Sequence, residues 1–390
     1  MHWSWQRNLA ALSMLLFGAY SPADAQSQPT KAVKFDLEDY GWQPLPKEQP
    51  GEWAGTRSQL ISVDRQGRVL VGFATRENQS LASREHPGLS FHILRFTSEG
   101  KVDLTLVLPT NNLFTNGFYL GPSDQIFARA NDTFQWMSDE GGTRKESVDW
   151  QFLVPCPRNC YIGQSSSRRT LTVSANSKDM SDRDYDRGTR ANTMLDASSL
   201  PPRVVNDCPH TGGIITDKFS YQSSDNIETD VRRWPLCHQE HGTELPLDMR
   251  GGSVIALNDE VLLLLGTGKD RRGVDLVSPK GQTKFHHEMP KHDVVTDEVR
   301  SDERGDRFAF TVQTWRGGVP ALDIGGKVVA FRVVVYSETG QELATVSLNP
   351  QLANGSLNPY YYRRFDFSMS PDGHRLAILD EGIVTVLDVK

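Results

Sequence analysis

The chain has 390 residues, of which 37% are hydrophobic and 23% charged, and its formal net charge is −7. This composition excludes a disordered chain and a multi-pass membrane protein. The mildly acidic balance, without any run rich in Lys and Arg, argues against a surface built to hold nucleic acid or anionic lipid.

The first residues read as an export signal. Arg7 precedes the apolar run LAALSMLLFGAY (9–20), which is short for a membrane span, and the small residues Ala23 and Ala25 fit a cleavage site. Residues 1–25 are therefore expected to be a signal peptide and 26–390 a single domain, secreted or periplasmic; a retained membrane anchor is the alternative. No membrane span is expected after cleavage, because VLLLLG (261–266) is only strand length.

Next comes KAVKFDLEDY (31–40), an isolated strand ahead of the Pro-rich QPLPKEQPGEW (43–53). From there a unit recurs: two apolar strands joined by a short glycine-bearing turn. SQLISVDRQGRVLVGFAT (58–75), LSFHILRFTSEGKVDLTLVLP (89–109) and GFYLGPSDQIFARAN (117–131) are the first three, and DTFQWMSDEGG (132–142) continues them. GGSVIALNDEVLLLLGTG (251–268) and GVDLVSPKGQTKFHHE (273–288) repeat it, as do DEVRSDERGDRFAFTVQTW (297–315) and KVVAFRVVVYSETGQELATVSL (327–348). The chain closes with FDFSM, SPDG, RLAIL, DEG and IVTVLDV (365–389), three strands and two tight turns. Turns recur too quickly for helices, and β-branched residues dominate the end. Four short strands per period of roughly 40–50 residues is the rhythm of a β-propeller. The expected fold is all-β, a single propeller of about seven four-stranded blades, with six and eight as near alternatives.

SPDGHRLAIL (370–379) resembles the WD40-like repeats of TolB-type propellers, and DRQGRVLVGF, DERGDRFAF and SPKGQTKF are looser versions. The resemblance implies radial blades around a central channel, and a binding role. A propeller must join its last blade to its first, and the closing stretch supplies three strands. Residues 31–40 are expected to supply the fourth and close the ring.

The middle of the chain is polar and turn-rich. Residues 174–209 and 222–250 read as loop insertions on one propeller face, braced by cysteines. An even count of four cysteines in an exported chain favours disulfides. Cys156–Cys160, across the short PCPRNC turn, and Cys208–Cys237 are the favoured pairs; a four-thiolate zinc site is the alternative.

Three groups could carry chemistry. Asp182, Asp184 and Asp186 alternate ahead of Gly188, a weak match to a calcium loop whose glycine comes one residue late. FHHEMPKHD (285–293) misses the zinc-protease spacing by one residue and is broken by Pro290, so its histidines read as residues of a polar turn. Arg232, Arg233 and Trp234, with Tyr360, Tyr362 and Arg364, pair cations with aromatic rings as binding surfaces do. No nucleophile motif stands in the sequence, so no catalytic residue is assigned and no cofactor beyond the weak calcium site is expected. The favoured function is an exported noncatalytic propeller, a monomer, binding a protein, peptide or glycan at one face. A propeller enzyme of the lyase, lactonase or glycosidase type, with its active site at the channel mouth, is one alternative; a structural envelope component is the other.

Overall fold

The computed structural model describes residues 32–42, 60–76, 89–110, 117–130, 133–137, 150–156, 160–176, 190–208, 214–223, 231–238, 242–247, 253–267, 272–317, 326–350, 365–380 and 382–390. Residues 1–25, expected to be a signal segment, the aspartates 182, 184 and 186, and residues 360, 362 and 364 lie outside them. The described residues form seven antiparallel four-stranded sheets, with a 3-10 turn at Glu38–Tyr40.

Strand β1 (Ala32–Asp36) comes first in the chain and belongs to the last sheet. Blade one holds β2 (Leu60–Val63), β3 (Val69–Arg76), β4 (Leu89–Phe96) and β5 (Val102–Thr110). Blade two holds β6 (Gly117–Leu120), β7 (Ile126–Ala130), β8 (Thr133–Met137) and β9 (Gln151–Pro155). Blade three holds β10 (Cys160–Gln164), β11 (Thr170–Asn176), β12 (Arg190–Asp196) and β13 (Arg203–Val205). Blade four is the smallest, with β14 (Ile214–Ile215), β15 (Phe219–Ser223), β16 (Val231–Pro235) and β17 (Thr243–Glu244). Blade five holds β18 (Ser253–Asn258), β19 (Val261–Thr267), β20 (Gly273–Val277) and β21 (Thr283–Glu288). Blade six holds β22 (Asp293–Ser301), β23 (Arg307–Arg316), β24 (Lys327–Ser337) and β25 (Glu342–Leu348). Blade seven runs β26 (Phe365–Met369), β27 (Arg375–Asp380), β28 (Ile383–Asp388) and then β1. The fold is a seven-bladed β-propeller.

Ring closure follows the expected route. β1 pairs with β28 in register from Ala32↔Leu387 to Asp36↔Ile383. Leu37, fully buried, donates its N–H to the Gly382 carbonyl at 2.9 Å, and Phe35 stacks on Phe96 of blade one with ring centroids 4.1 Å apart. The N-terminal segment thus completes one blade and packs against the next.

The core lies between blades. Within each sheet the strands alternate their side chains between the two faces, so each face buries apolar residues against a neighbouring blade. Phe91, Ile93 and Leu106 of blade one meet Phe118, Leu120 and Ile126 of blade two, for example. Among the described residues, such clusters fill the interfaces between blades one and two, two and three, four and five, five and six, six and seven, and seven and one. The interface between blades three and four holds none among the described residues.

Two disulfides sit at that end of the ring. Cys156–Cys160 spans the step from blade two to blade three, and both cysteines are buried within the apolar cluster there. Cys208, beyond β13, is bonded to Cys237, beyond β16, and ties blade three to blade four. Both pairings match the expected ones. The stretches 174–209 and 222–250, expected as loop insertions, contribute β12, β13, β16 and β17 to these blades, while 177–189 and 224–230 lie outside the described residues. Polar composition concealed those strands because they are the outer ones, with a face toward solvent.

Candidate functional site

The first strand of every blade lines a central channel. A cavity of about 400 Å3 is walled by residues of β2, β6, β10, β14, β18, β22 and β26. Ile61, Phe118, Ile215 and Ile255 supply apolar wall, while Ser62, Gln164, Ser166, Arg300, Ser301 and Asp366 supply polar groups.

One network binds three blades inside this channel. Asp366, 5% exposed, accepts a hydrogen bond from Arg300 Nη2 at 2.9 Å and, through its other oxygen, from the Ile61 N–H at 3.1 Å. The inner edge of blade one would otherwise leave that N–H without a strand partner. Asp366→Ala is expected to cost about 2–3 kcal/mol, because a charge-assisted hydrogen bond and a satisfied backbone donor are lost together. Asp366→Asn, which keeps an acceptor, should cost less. Urea unfolding of both variants checks this, and two curves within about 0.5 kcal/mol of the parent would show that the network is idle.

The tight turn between the first and second strand of each blade lies on one face of the ring. Neighbouring turns are stitched to each other and to adjacent loops in a closed belt. The Arg65 N–H donates to Asp124 Oδ1 at 3.1 Å between blades one and two, and Gln125 Nε2 to the Ala197 carbonyl at 3.0 Å between two and three. Ser167 Oγ donates to Asp217 at 2.5 Å, and the Lys218 N–H to Asp259 at 3.3 Å, joining blades three, four and five. Asn258 Nδ2 donates to the Arg304 carbonyl, and the Glu303 N–H to the Pro371 carbonyl at 3.1 Å, carrying the belt to blade seven. Arg375 Nη1 closes it by donating to the Gly67 carbonyl at 2.8 Å. Gly67 has φ +72°, a conformation that favours glycine, and the Arg375 guanidinium packs directly over it.

The channel narrows toward this face. Ser166 Oγ of blade three lies 3.0 Å from Ser301 Oγ of blade six, which stands across the ring, and Arg65 reaches from blade one to Glu303 at 2.7 Å. Arg168, from the same turn as Ser166, is buried at 9% exposure, and its Nη1 has no hydrogen-bond partner. Burial pulls its pKa below the ordinary arginine range, opposed by the charges of Glu303, Asp124 and Asp64. Burial also raises the Asp124 carboxyl, although the Arg65 N–H partly counters it. Outside the channel on the same face, a groove of about 500 Å3 runs over blades six, seven and one between Arg65, Arg304, Asp306 and His374. Asp302 at its edge is pushed up to about 6 by burial.

The residues singled out in the sequence are dispersed. Arg232, Arg233 and Trp234 lie on β16, the third strand from the axis, not at the channel mouth. Arg233 stacks its guanidinium 4.3 Å from the centre of the Phe219 ring, and Arg232 is more than half exposed, 3.9 Å from Glu244. His286 pairs with Asp275 at 2.6 Å, and His287 lies against Phe285 and Tyr336. No group of three or more metal-ligating side chains gathers among the described residues. Arg168, Ser166, Ser301 and Asp366 were not anticipated from the sequence. One signal did exist: SSSR (165–168) places arginine where DRQG (64–67) and SPDG (370–373) place glycine.

No helix among the described residues is long and apolar enough to cross a membrane. No known family matches the sequence, and no curated protein does. Solved structures show weak likeness. A chain in a mitotic checkpoint complex is 12% identical over 93% of this chain and 96% of its own, with a TM-score of 0.43. An oligogalacturonate lyase from Vibrio parahaemolyticus is 10% identical over 86% and 98%, with a TM-score of 0.43. A prolyl endopeptidase is 12% identical over 85% of this chain and 48% of its own, with a TM-score of 0.47. Likeness at this level transfers no activity, and the fold rests on the blades themselves.

Proposed function

We propose that this is an exported, noncatalytic binding propeller that holds a protein, peptide or glycan on the face opposite the tight turns. The supporting observation is how the connections divide between the two faces. First-to-second strand turns are tight and bonded to one another. The strands flanking 43–59, 77–88, 177–189, 318–325 and 351–364 all end or begin at the other face, whereas the turn face receives one connection of comparable length, 138–150, so most of the long connecting sequences converge on the face opposite the tight turns. Ordering long connections costs entropy, and such segments on a rigid scaffold are where recognition residues collect. Tyr360, Tyr362 and Arg364 immediately precede the channel-lining strand β26, and Arg232 lies near the start of β16 at the same face. Two disulfides accord with an oxidising compartment.

The test compares the two faces directly. Captured partners from the native envelope should be retained by the parent and lost when Tyr360, Tyr362, Arg364 and Arg232 are replaced by alanine. Replacing Arg304 and His374 on the turn face should leave capture unchanged. The reverse pattern would place the partner on the stitched face and defeat the proposal.

A further inference from the structure

Two unfavourable features coincide at Arg168. The first is conformational. In the turns between first and second strands, the residue that donates back to the start of the turn takes a positive φ: Gly67 at +72°, Asp124 at +60°, Gly305 at +75° and Gly373 at +72°. Blade three places Arg168 there at +63°. Glycine adopts this conformation freely and aspartate tolerates it, but a long side chain is strained by it.

The second is electrostatic. Arginine stays charged in proteins, and a buried guanidinium is expected to meet a carboxylate. Arg168 forms no ion pair among the described residues, and its Nη1 is both buried and without a hydrogen-bond partner. The nearby acids are engaged elsewhere. Asp64 bonds Arg68 Nε at 2.5 Å, Glu303 bonds Arg65, and Asp124 accepts the Arg65 N–H. A sequence that needed only a turn here would carry glycine, as three of the other blades do. Backbone strain and a buried guanidinium nitrogen without a hydrogen-bond partner, held together at one point of a concave site, mark function more often than architecture.

We infer that the floor of the central channel is an anion site, in which Arg168 with the hydroxyls of Ser166 and Ser301 receives a compact oxyanion group, a carboxylate, phosphate or sulfate. Arg168 lines the channel cavity together with both serines. Ser166 and Ser301 share one hydrogen bond at 3.0 Å, so at least one hydroxyl proton remains to be donated. A guanidinium binds an oxyanion through short charge-assisted hydrogen bonds, and Ile215 and Ile255 add apolar wall to the same cavity. The site is independent of the partner face proposed above, since it is defined by channel residues alone.

Arg168→Gly separates binding from folding. Glycine suits φ +63° and removes the buried guanidinium with its unbonded Nη1, so the variant should melt at or above the parent temperature without added anion. Calorimetric titration of the full mature protein with sodium sulfate, phosphate and acetate, each against sodium chloride at equal ionic strength, reads the site. Triglycine, compared with its C-terminal amide, reports a carboxylate carried on a larger molecule. At least one of these oxyanions should bind the parent saturably, and Arg168→Gly should weaken that binding by at least about tenfold. Saturable binding that survives Arg168→Gly unchanged would overturn the inference. So would the absence of saturable binding by the parent to all of the oxyanion probes.

Discussion

Removing residues 32–42 is expected to abolish cooperative folding at physiological temperature. The deletion strips the fourth strand from blade seven, leaving the β28 edge from Ile383 to Leu387 unpaired. It also removes Leu37 and Trp42, both buried in the cluster that joins blade seven to blade one with Phe73, Phe96, Leu379 and Val384. Truncating one such side chain to alanine costs about 2–5 kcal/mol, so the whole segment approaches the net stability of a typical domain, about 5–15 kcal/mol. An exposed strand edge adds a route to aggregation. Leu37→Ala alone provides a graded version, with an expected loss of about 3 kcal/mol. Thermal melts followed by circular dichroism decide the matter. A truncated protein that melts where the parent does would show that the ring holds without its closing strand.

The second large effect concerns the weakest interface. Blades three and four share no apolar cluster among the described residues; they are joined by Ser167 and Thr170 bonding Asp217, and by the Cys208–Cys237 bridge. The bridge closes a segment of sequence separation 29, and loop-closure arithmetic makes it worth about 3–4 kcal/mol. Cys156–Cys160 closes a separation of only 4, worth about 2 kcal/mol, and lies at an interface that already has a core. Replacing Cys208 and Cys237 by alanine should therefore lower the denaturation midpoint more than replacing Cys156 and Cys160. It should also loosen blade four first, seen as faster amide exchange at Phe219–Ser223 and Val231–Pro235 than in blades one or six. Equal midpoints for the two double variants, or the opposite order, would contradict a structural role for the longer bridge.

These expectations rest on parts of the molecule that differ in how visible they are in the sequence. The meander at 365–389 is readable residue by residue, because Pro371 and Gly373 preset a tight turn and the flanking apolar residues give the strands. Gly373 indeed takes φ +72°, with its N–H bonded to the Ser370 carbonyl at 2.9 Å. The closing role of 31–40 is readable by counting, since three strands at one end require a fourth. Blades three and four are less legible. RANTMLD and VRRWP mix charged with apolar residues, and such segments look like loops when only composition is weighed.

The sequence by itself determined the all-β architecture, the recurring turns, the ring closure and the favoured cysteine pairs, because each depends on contacts within a few residues or on simple counting. Only the tertiary structure decided which residues face one another across the channel. Ser166 meets Ser301, Arg65 meets Glu303 and Asp366 meets the Ile61 N–H, at separations of 135, 238 and 305 residues. A propeller brings one strand from each blade to its axis, so its central site is assembled from seven distant segments, none of which carries a local motif. Arg168 is the clearest case: in the sequence it is one arginine in a serine-rich turn, and it becomes a buried guanidinium with an unbonded Nη1 only when the ring closes around it.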